Sequence, residues 1–485
     1  CAGTSDNSVI EMCGEVTRQK GRVVVVGAVR MDIPRENFFK KEINIVISRS
    51  YGPGRYDPSY EEKGNDYPLS YVRFTEQRNM ETFLSLLSQK KLDLKNLITH
   101  RFTLDEAATA YQLIEGKKTE PYLGILLSYN SKTFDKNSSD LIKINPTKVD
   151  NDKIKISFYG AGNYATATLI PLMKDSGKVS FNGLVTSTGM SAQSVAKKFD
   201  FNYCASNYKE ILNDKNDVVA ITTRHDTHSK AICDALAANK NVYVEKPLAL
   251  SVSELEDIHK AYTDNAKSQI MVGFNRRFAP STNEIIQHFE SVKSPLVINI
   301  RVNAGFIPAD HWTQDAQEGG GRMIGEGCHF IDLASAITKS NVKTIYAVGS
   351  SKEEKSALLN DNLCLSLTFE NGSIANITYT ADGSKAMSKE HIEVFGGGRS
   401  AQIKDFKEIL LFDGDKKIKD KKLGTQDKGQ KSMIDNWLKG IQDGEPCIDY
   451  NSLMQTSLAT ILSIESLSIG MPLDVDSKLY KIKSS

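Results

Sequence analysis

No sign of charge dominates this chain: 61 Lys and Arg stand against 60 Asp and Glu, a net charge of +1 over 485 residues. So balanced a chain has no bulk attraction for nucleic acid or a membrane surface, and neither is expected as a partner. Paired cysteines are also lacking. The seven, Cys1, Cys13, Cys204, Cys233, Cys328, Cys364 and Cys447, are scattered, odd in number and never in a C-x-x-C pair. Neither a disulfide framework nor a metal site is therefore expected, and the residues read as thiols of a reducing cytoplasm. No apolar run approaches the roughly 18 to 20 residues of a membrane helix. No charged-then-apolar leader precedes the first strand, and no internal repeat of about 20 to 50 residues appears. The chain begins at Cys1 rather than Met, but "SVIEMCGEVTRQKGRVVVVGAV" at 8–29 reads as the interior of a fold. We therefore expect a chain cut at its N-terminus rather than a processed lipoprotein.

What is present is ordinary globular composition, 40% hydrophobic and 25% charged. At about 100 to 200 residues per domain, that length predicts two or three domains. "RVVVVGA" at 22–28 and "INIVISRS" at 43–50 suit strands of a parallel sheet, the first buried on both faces. Helical patterns come next: Met80, Phe83, Leu84 and Leu87 recur on one face, and Thr103 with Glu106 forms a capping box closed by a stop at Gly116. The polar stretch 131–152 reads as a linker between a partial dinucleotide-type domain at 1–130 and the rest of the chain. From residue 153 strands and helices alternate, "IKISFY", "ATATLIPLMK", "VSFNGLVT", "MSAQSVAKKFD", "DVVAIT", "HSKAICDALAAN", "NVYVEKP". This βαβ series predicts an α/β, Rossmann-type doubly wound parallel sheet over 153–275. Pro171 falls inside its first helix, where it should kink the chain. Beyond about residue 290, longer strands such as "LVINIRVNA" and "NLCLSLTFENGSIANITYTA", with an Asn-Gly hairpin signal, predict an α+β domain at 276–485 with a mostly antiparallel sheet.

"GAGNYA" at 160–165 comes after the first strand of the βαβ series and opens its first helix. Gly160 permits the tight turn, Gly162 lets the backbone approach a pyrophosphate, and Ala165 allows close helix–strand packing. The helix N-terminus supplies N–H donors and partial positive charge to the phosphates. Cofactor contacts are expected from Gly160, Gly162, Asn163, Tyr164 and Ala165. At the end of the second strand, where an acid would hold the ribose of NAD, the chain reads "VTSTG". Thr186 and Ser187 can bond a hydroxyl or a phosphate, so both NAD and NADP remain open.

"VYVEKPLA" at 242–249 and "GGGRMIGEGCHFIDL" at 319–333, taken with "GAGNYA", resemble the Gfo/Idh/MocA family of glucose–fructose oxidoreductase and inositol dehydrogenase type over about 153–475. The resemblance implies that Lys246 lies beside the nicotinamide and the substrate oxygen, and that His329 exchanges the hydroxyl proton. An imidazole titrates near neutrality and an ammonium stabilises oxyanion charge, so the chemistry agrees. The family commonly carries an acid four residues before the histidine, where this chain has Gly325. Glu326 is one residue off, a rotation of about 100° on a helix, and could serve only if the backbone bulges there. Asp332, one turn after His329, could orient it. "TTRHDTH" at 222–228 resembles the family's cofactor-flanking loop, which implicates Thr223, Arg224 and His228, with Glu245 and Lys246, in cofactor contact, and His225 with Arg224 in phosphate or substrate contact. "GFNRRF" and "NAGFIPADHW" resemble the substrate cleft, offering Asn275, Arg276, Asn303, His311 and Trp312 for hydroxyls, a carboxylate or a phosphate.

Residues 22–116 resemble the back half of a medium-chain, zinc-type alcohol dehydrogenase, through "GRVVVVGAV", "INIVISRSYGPGRYDPSYEEKG" and "LITHRFTLDEAATAYQLIEG". That family's phosphate loop and zinc-bearing domain are missing, so this half is expected to have no dehydrogenase activity of its own. "YGPGRYDPSYEEKGNDYP" is a substrate or interdomain contact, or a packed surface loop. Together the halves resemble fused two-domain oxidoreductases of sugar and polysaccharide metabolism. The expectation is an NAD(P)-dependent oxidoreductase acting on a hydroxyl or keto carbon of a sugar, nucleotide sugar or polyol, assembled as a homo-oligomer. The alternatives are an NAD-dependent glycoside hydrolase of the same fold and a non-catalytic dinucleotide-binding sensor or scaffold.

Overall fold

The computed structural model describes residues 3–117, 119–129, 141–145, 152–186, 189–350 and 361–475. The chain divides into two compact units, Cys1–Lys136 and Asn137–Ser485.

In the first unit, Arg22–Val25 pairs in parallel with Asn44–Ile47, and Ile98–Thr103 in parallel with Gly124–Ser128. Only alternate residues of Arg22–Val25 are buried, so the strand has one covered face and one open face rather than two covered ones. Val23 and Val25 join Ile10 and Phe38 in a small core, while Val24 is 50% exposed. Helix Glu76–Ser88 is capped by Thr75, and Met80, Phe83 and Leu84 on its apolar stripe are exposed. The Thr103–Glu106 capping box forms as expected, the Thr103 amide donating to Glu106 Oε2 at 3.0 Å.

In the second unit, the described residues form a seven-stranded sheet in the order Ile270–Val272, Asn241–Val244, Val218–Ile221, Ile154–Tyr159, Val179–Val185, Tyr203–Ala205, Ile142–Lys143. All neighbours are parallel except the last pair. Ile142–Lys143 lies inside the stretch expected as linker and covers the sheet edge; 130–140 and 146–151 lie outside the described residues. The central Ile154–Tyr159 strand is flanked by strands reached in opposite directions, the switch point at which doubly wound sheets open a crevice. Pro171 is tolerated for a visible reason. The chain makes a π turn at Ala165–Leu169, the Ile170 amide reaching back to the Ala165 carbonyl, and Pro171 sits in the first turn of the next α-helix, Ile170–Asp175. The widened turn absorbs both the proline ring and its missing N–H.

A second, nine-stranded sheet runs Lys416–Lys422, Glu408–Asp413, Arg399–Lys404, Glu390–Gly396, Val297–Asn303, Ile374–Thr380, Asn362–Phe369, Val342–Gly349, Leu473–Asp474 among the described residues. It is antiparallel except where Val297–Asn303 meets Ile374–Thr380. The Asn371-Gly372 hairpin forms, with Gly372 at φ +83°. Three strands between 399 and 422 extend the sheet beyond the sequence expectation; Gly397-Gly398 leads into the first and Gly414 turns between the last two, all three glycines with positive φ. Helices Cys328–Thr338 and Tyr450–Ile469 pack together, and one continuous apolar core runs from Phe158 in the first sheet to Ile377 in the second and Trp437. Among the described residues no helix is long and apolar enough to cross a membrane.

Candidate active site

A cavity of about 1090 Å³ lies along the carboxyl ends of the parallel strands, lined by Tyr159 and Gly160, Thr186, Ser206, Thr222, Glu245 and Gly273 from successive strand ends. Such a crevice is where open α/β sheets hold ligands. Gly160 has φ +99°, and a Cβ there would lie 2.7 Å from the Thr222 carbonyl. Only glycine fits. Its amide donates to the Val185 carbonyl at 2.8 Å, and its own carbonyl accepts from Thr222 Oγ1 at 2.9 Å, so the loop is locked onto two strands. A Cβ on Gly162 would meet nothing within 4 Å, leaving open cavity beside that backbone. Asn163 and Tyr164 begin the helix, and Ala165 is buried against the sheet. The residues present therefore fit a dinucleotide: bare backbone at Gly162, a helix N-terminus, and enough volume.

Lys246 and His329 line this cavity from opposite domains. Lys246 Nζ donates to the Gly325 carbonyl at 2.6 Å. His329 is 6% exposed, its Nδ1 has no partner among the described residues, and its ring meets Phe274 edge-on at 6.1 Å. Burial, reinforced by Arg276, Lys246, Lys428 and Lys389, holds its pKa well below the ordinary histidine value. It is a neutral base surrounded by cations.

The helix carrying His329 is preceded by a π turn at Met323–Gly327, so the backbone does bulge before it. Even so, Glu326 does not join Lys246 and His329. Its carboxylate accepts from Tyr379 Oη at 2.6 Å, Lys389 Nζ at 2.6 Å and Arg322 Nη2 at 3.3 Å. Lys389 leads these partners in pulling its pKa down to about 2 against the opposing effect of burial. Asp332 likewise is spent elsewhere, paired with both donors of Arg277, one at 3.0 Å. It does not orient His329.

Of the other expected site residues, Thr186, Thr223, Arg224, Glu245, Asn275, Arg276 and Trp312 line the cavity. Ser187 lies outside the described residues. His228 is fully buried behind the loop, its Nδ1 bonded to the Pro247 carbonyl at 2.7 Å, and it does not line the cavity. It ties the Thr222–His228 loop to the Glu-Lys-Pro segment. Asn303 donates to the Ser384 carbonyl at 2.7 Å, and His311 caps the turn Trp312–Gln314; neither reaches the cavity. Arg276 is engaged by Glu390 through two bonds of 2.8 and 2.9 Å, with Lys428 on the same carboxylate at 2.7 Å. Glu390 is fully buried, and Arg276 leads in keeping its pKa low despite that burial. Lys428 and Gln430 line the wall without any sequence signal for them. The nearest hint is Gly429, whose Cβ would lie 2.4 Å from the Ala279 amide. Tyr159 and Tyr208, 4.4 Å apart, add an aromatic wall also missed from sequence. Among the described residues no three His, Cys, Asp or Glu groups gather as metal ligands.

Residues 154–274 match the oxidoreductase family with NAD-binding Rossmann fold, and residues 294–401 match the GFO/IDH/MocA C-terminal domain. The uncharacterized oxidoreductase YrbE of Bacillus subtilis is 26% identical over 298 residues, 59% of this chain and 86% of that protein. Inositol 2-dehydrogenase of Salmonella typhimurium is 32% identical over 144 residues, 29% of this chain and 41% of its own. Among solved structures, levoglucosan dehydrogenase complexed with NADH and levoglucosan superposes at a TM-score of 0.58 with 18% identity, over 67% of this chain and all of that one. At that identity the likeness shows the fold.

Proposed function

From the Gfo/Idh/MocA-type NAD-binding and C-terminal domains that residues 154–401 carry, we infer that this protein is an NAD(P)-dependent oxidoreductase acting on a hydroxyl or keto carbon of a sugar, nucleotide sugar or polyol. One observation carries the reading to this chain's own residues: Lys246 and His329 come from different domains into the same cavity, which begins at the Gly160 turn. A bound nicotinamide dinucleotide supplies the hydride acceptor or donor. Gly160, Gly162 and the helix opened by Asn163 would hold its phosphates, and Thr186 would serve its ribose. His329, neutral at rest, accepts the carbinol proton in the oxidising direction and returns it in the reducing one. Lys246 sets its ammonium beside the oxygen on which charge develops.

The 2′ group stays open between NAD and NADP, since Thr186 replaces the acid that would repel a phosphate. Residues 1–130 we read as part of a medium-chain dehydrogenase cofactor domain, supported by its two parallel strand pairs. A homo-oligomer is supported by the exposed Val297, Val348, Ile374 and Phe395 on the nine-stranded sheet. Six free thiols among the described residues fit a reducing cytoplasm.

Fluorescence titration with NADH and NADPH, then a panel of aldoses, cyclitols and nucleotide sugars read at 340 nm, tests the assignment. Net NAD(P)H release with a panel member is the expected result. Sugar cleavage with no net change at 340 nm would replace it with the hydrolase reading.

A further inference from the structure

His225 lines the cavity, and the structure fixes its tautomer. Its Nδ1 lies 2.8 Å from the Gly319 carbonyl, which can only accept, so Nδ1 carries the hydrogen and Nε2 presents a lone pair. Among the described residues no group bonds that Nε2. The ring is 6% exposed, held edge-on by Trp312 at 4.8 Å, and it lines the cavity. The loop bearing it is fastened to the opposite domain by three contacts: this bond, the Asp226 amide to the Glu318 carbonyl at 3.2 Å, and an Arg224–Glu318 ion pair. Burial, aided by Lys246 and His228, pushes its pKa down to about 3, so the acceptor stays neutral across the working pH range.

Its position relative to the chemistry is set by Gly325. A Cβ on Gly325 would lie 3.1 Å from His225 Cε1, so the ring occupies the space a side chain at 325 would take. The carbonyl of the same glycine holds Lys246 Nζ, and His329 stands one helical turn further on. Three groups thus gather around the Gly325 peptide in one cavity, where they can meet neighbouring hydroxyls of one sugar ring. A fixed, neutral acceptor takes a hydroxyl hydrogen and offers nothing to a carboxylate or phosphate.

We propose that His225 is a substrate-binding residue whose Nε2 accepts a hydrogen bond from the hydroxyl next to the carbon being oxidised or reduced, so that the site selects substrates with vicinal hydroxyl groups. This rests on the oxidoreductase reading above. A substrate lacking that hydroxyl leaves a buried acceptor unpaired, which costs about ten- to a hundredfold in kcat/KM.

The test pairs each aldose or cyclitol turned over by the wild type with its analogue deoxygenated at the neighbouring carbon; for D-glucose oxidised at C1 this is 2-deoxy-D-glucose. The wild type should prefer the parent by ten- to a hundredfold. His225→Phe keeps a ring against Trp312 but removes the acceptor, and with it the Gly319 bond, while the Asp226–Glu318 and Arg224–Glu318 contacts still hold the loop. It should still bind NADH and erase the preference, by slowing the parent ten- to a hundredfold more than the deoxy analogue. Should that variant not fold, His225→Leu gives the same readout. An unchanged preference in the variant, or none in the wild type, overturns the inference while the oxidoreductase reading stands. A folded, NADH-binding wild type that oxidises or reduces no panel member overturns both.

Discussion

Replacing Lys246 by Met keeps the aliphatic stem and deletes the ammonium, with two separable consequences. The first is loss of the charge beside the reacting oxygen. Removing a single preorganised oxyanion donor costs roughly 10² to 10³ in kcat, or about 3 to 4 kcal/mol. The second acts on His329, whose pKa is held down by burial and then by four cations, Lys246 among them. Deleting one cation must raise it. Since His329 works as a base only when unprotonated, the acidic limb of the kcat/KM profile for alcohol oxidation should move to higher pH in Lys246→Met. Cofactor affinity should change little, because the phosphate loop is built from Gly160, Gly162 and the adjoining helix. Initial rates at 340 nm from pH 5 to 9, alongside NADH fluorescence titration, read all three. A variant with turnover near wild type refutes the role of Lys246, and an acidic limb that moves down or stays fixed refutes the electrostatic coupling to His329.

Other substitutions test other parts of the fold. Gly160→Ala forces an L residue into φ +99° and sets its Cβ 2.7 Å from the Thr222 backbone. We expect a loss of roughly 1 to 3 kcal/mol in urea unfolding, with weakened NADH binding; unaltered NADH affinity would count against the loop assignment. Glu390→Gln leaves Arg276 and Lys428 without their buried counter-charge. Chemical denaturation should show a loss of about 3 to 5 kcal/mol, and a loss below about 1 would mean the network relaxes freely. For Glu326 the folded pKa is depressed from 4.5 to about 2, so its stabilisation is complete above about pH 4.5 and disappears as pH falls toward 2. Glu326→Gln should flatten that part of the acid-unfolding curve; a wild-type slope would show that the carboxylate does not contribute.

Local features were the legible ones. The Gly160 turn, the Glu-Lys-Pro strand end and the hairpin at Asn371-Gly372 are each decided by a few adjacent residues, and each stands where expected. Pro171 reads as a kink inside one helix because helical arithmetic assumes four-residue spacing, and a π turn breaks that assumption. The same arithmetic kept Glu326 ambiguous; its partners Tyr379 and Lys389 lie 53 and 63 residues away, beyond any local reading. Arg276 looked like a substrate grip, since nothing nearby in sequence announces Glu390, 114 residues on. His228 and Asp332 carry chemistry-bearing side chains, but burial gave them backbone and Arg277 as partners instead. The strand Arg22–Val25 reads as buried on both faces because an unbroken valine run carries no alternation to reveal its open side.

The residues lining the cavity run from Tyr159 to Gln430 along the chain. On the ribosome, where the chain emerges from its N-terminus, the strands of the parallel sheet are made long before Lys428 and Gln430. The order of synthesis therefore completes the cleft only once Lys428 and Gln430 have emerged, and Tyr243 meets its partner Trp437 later still.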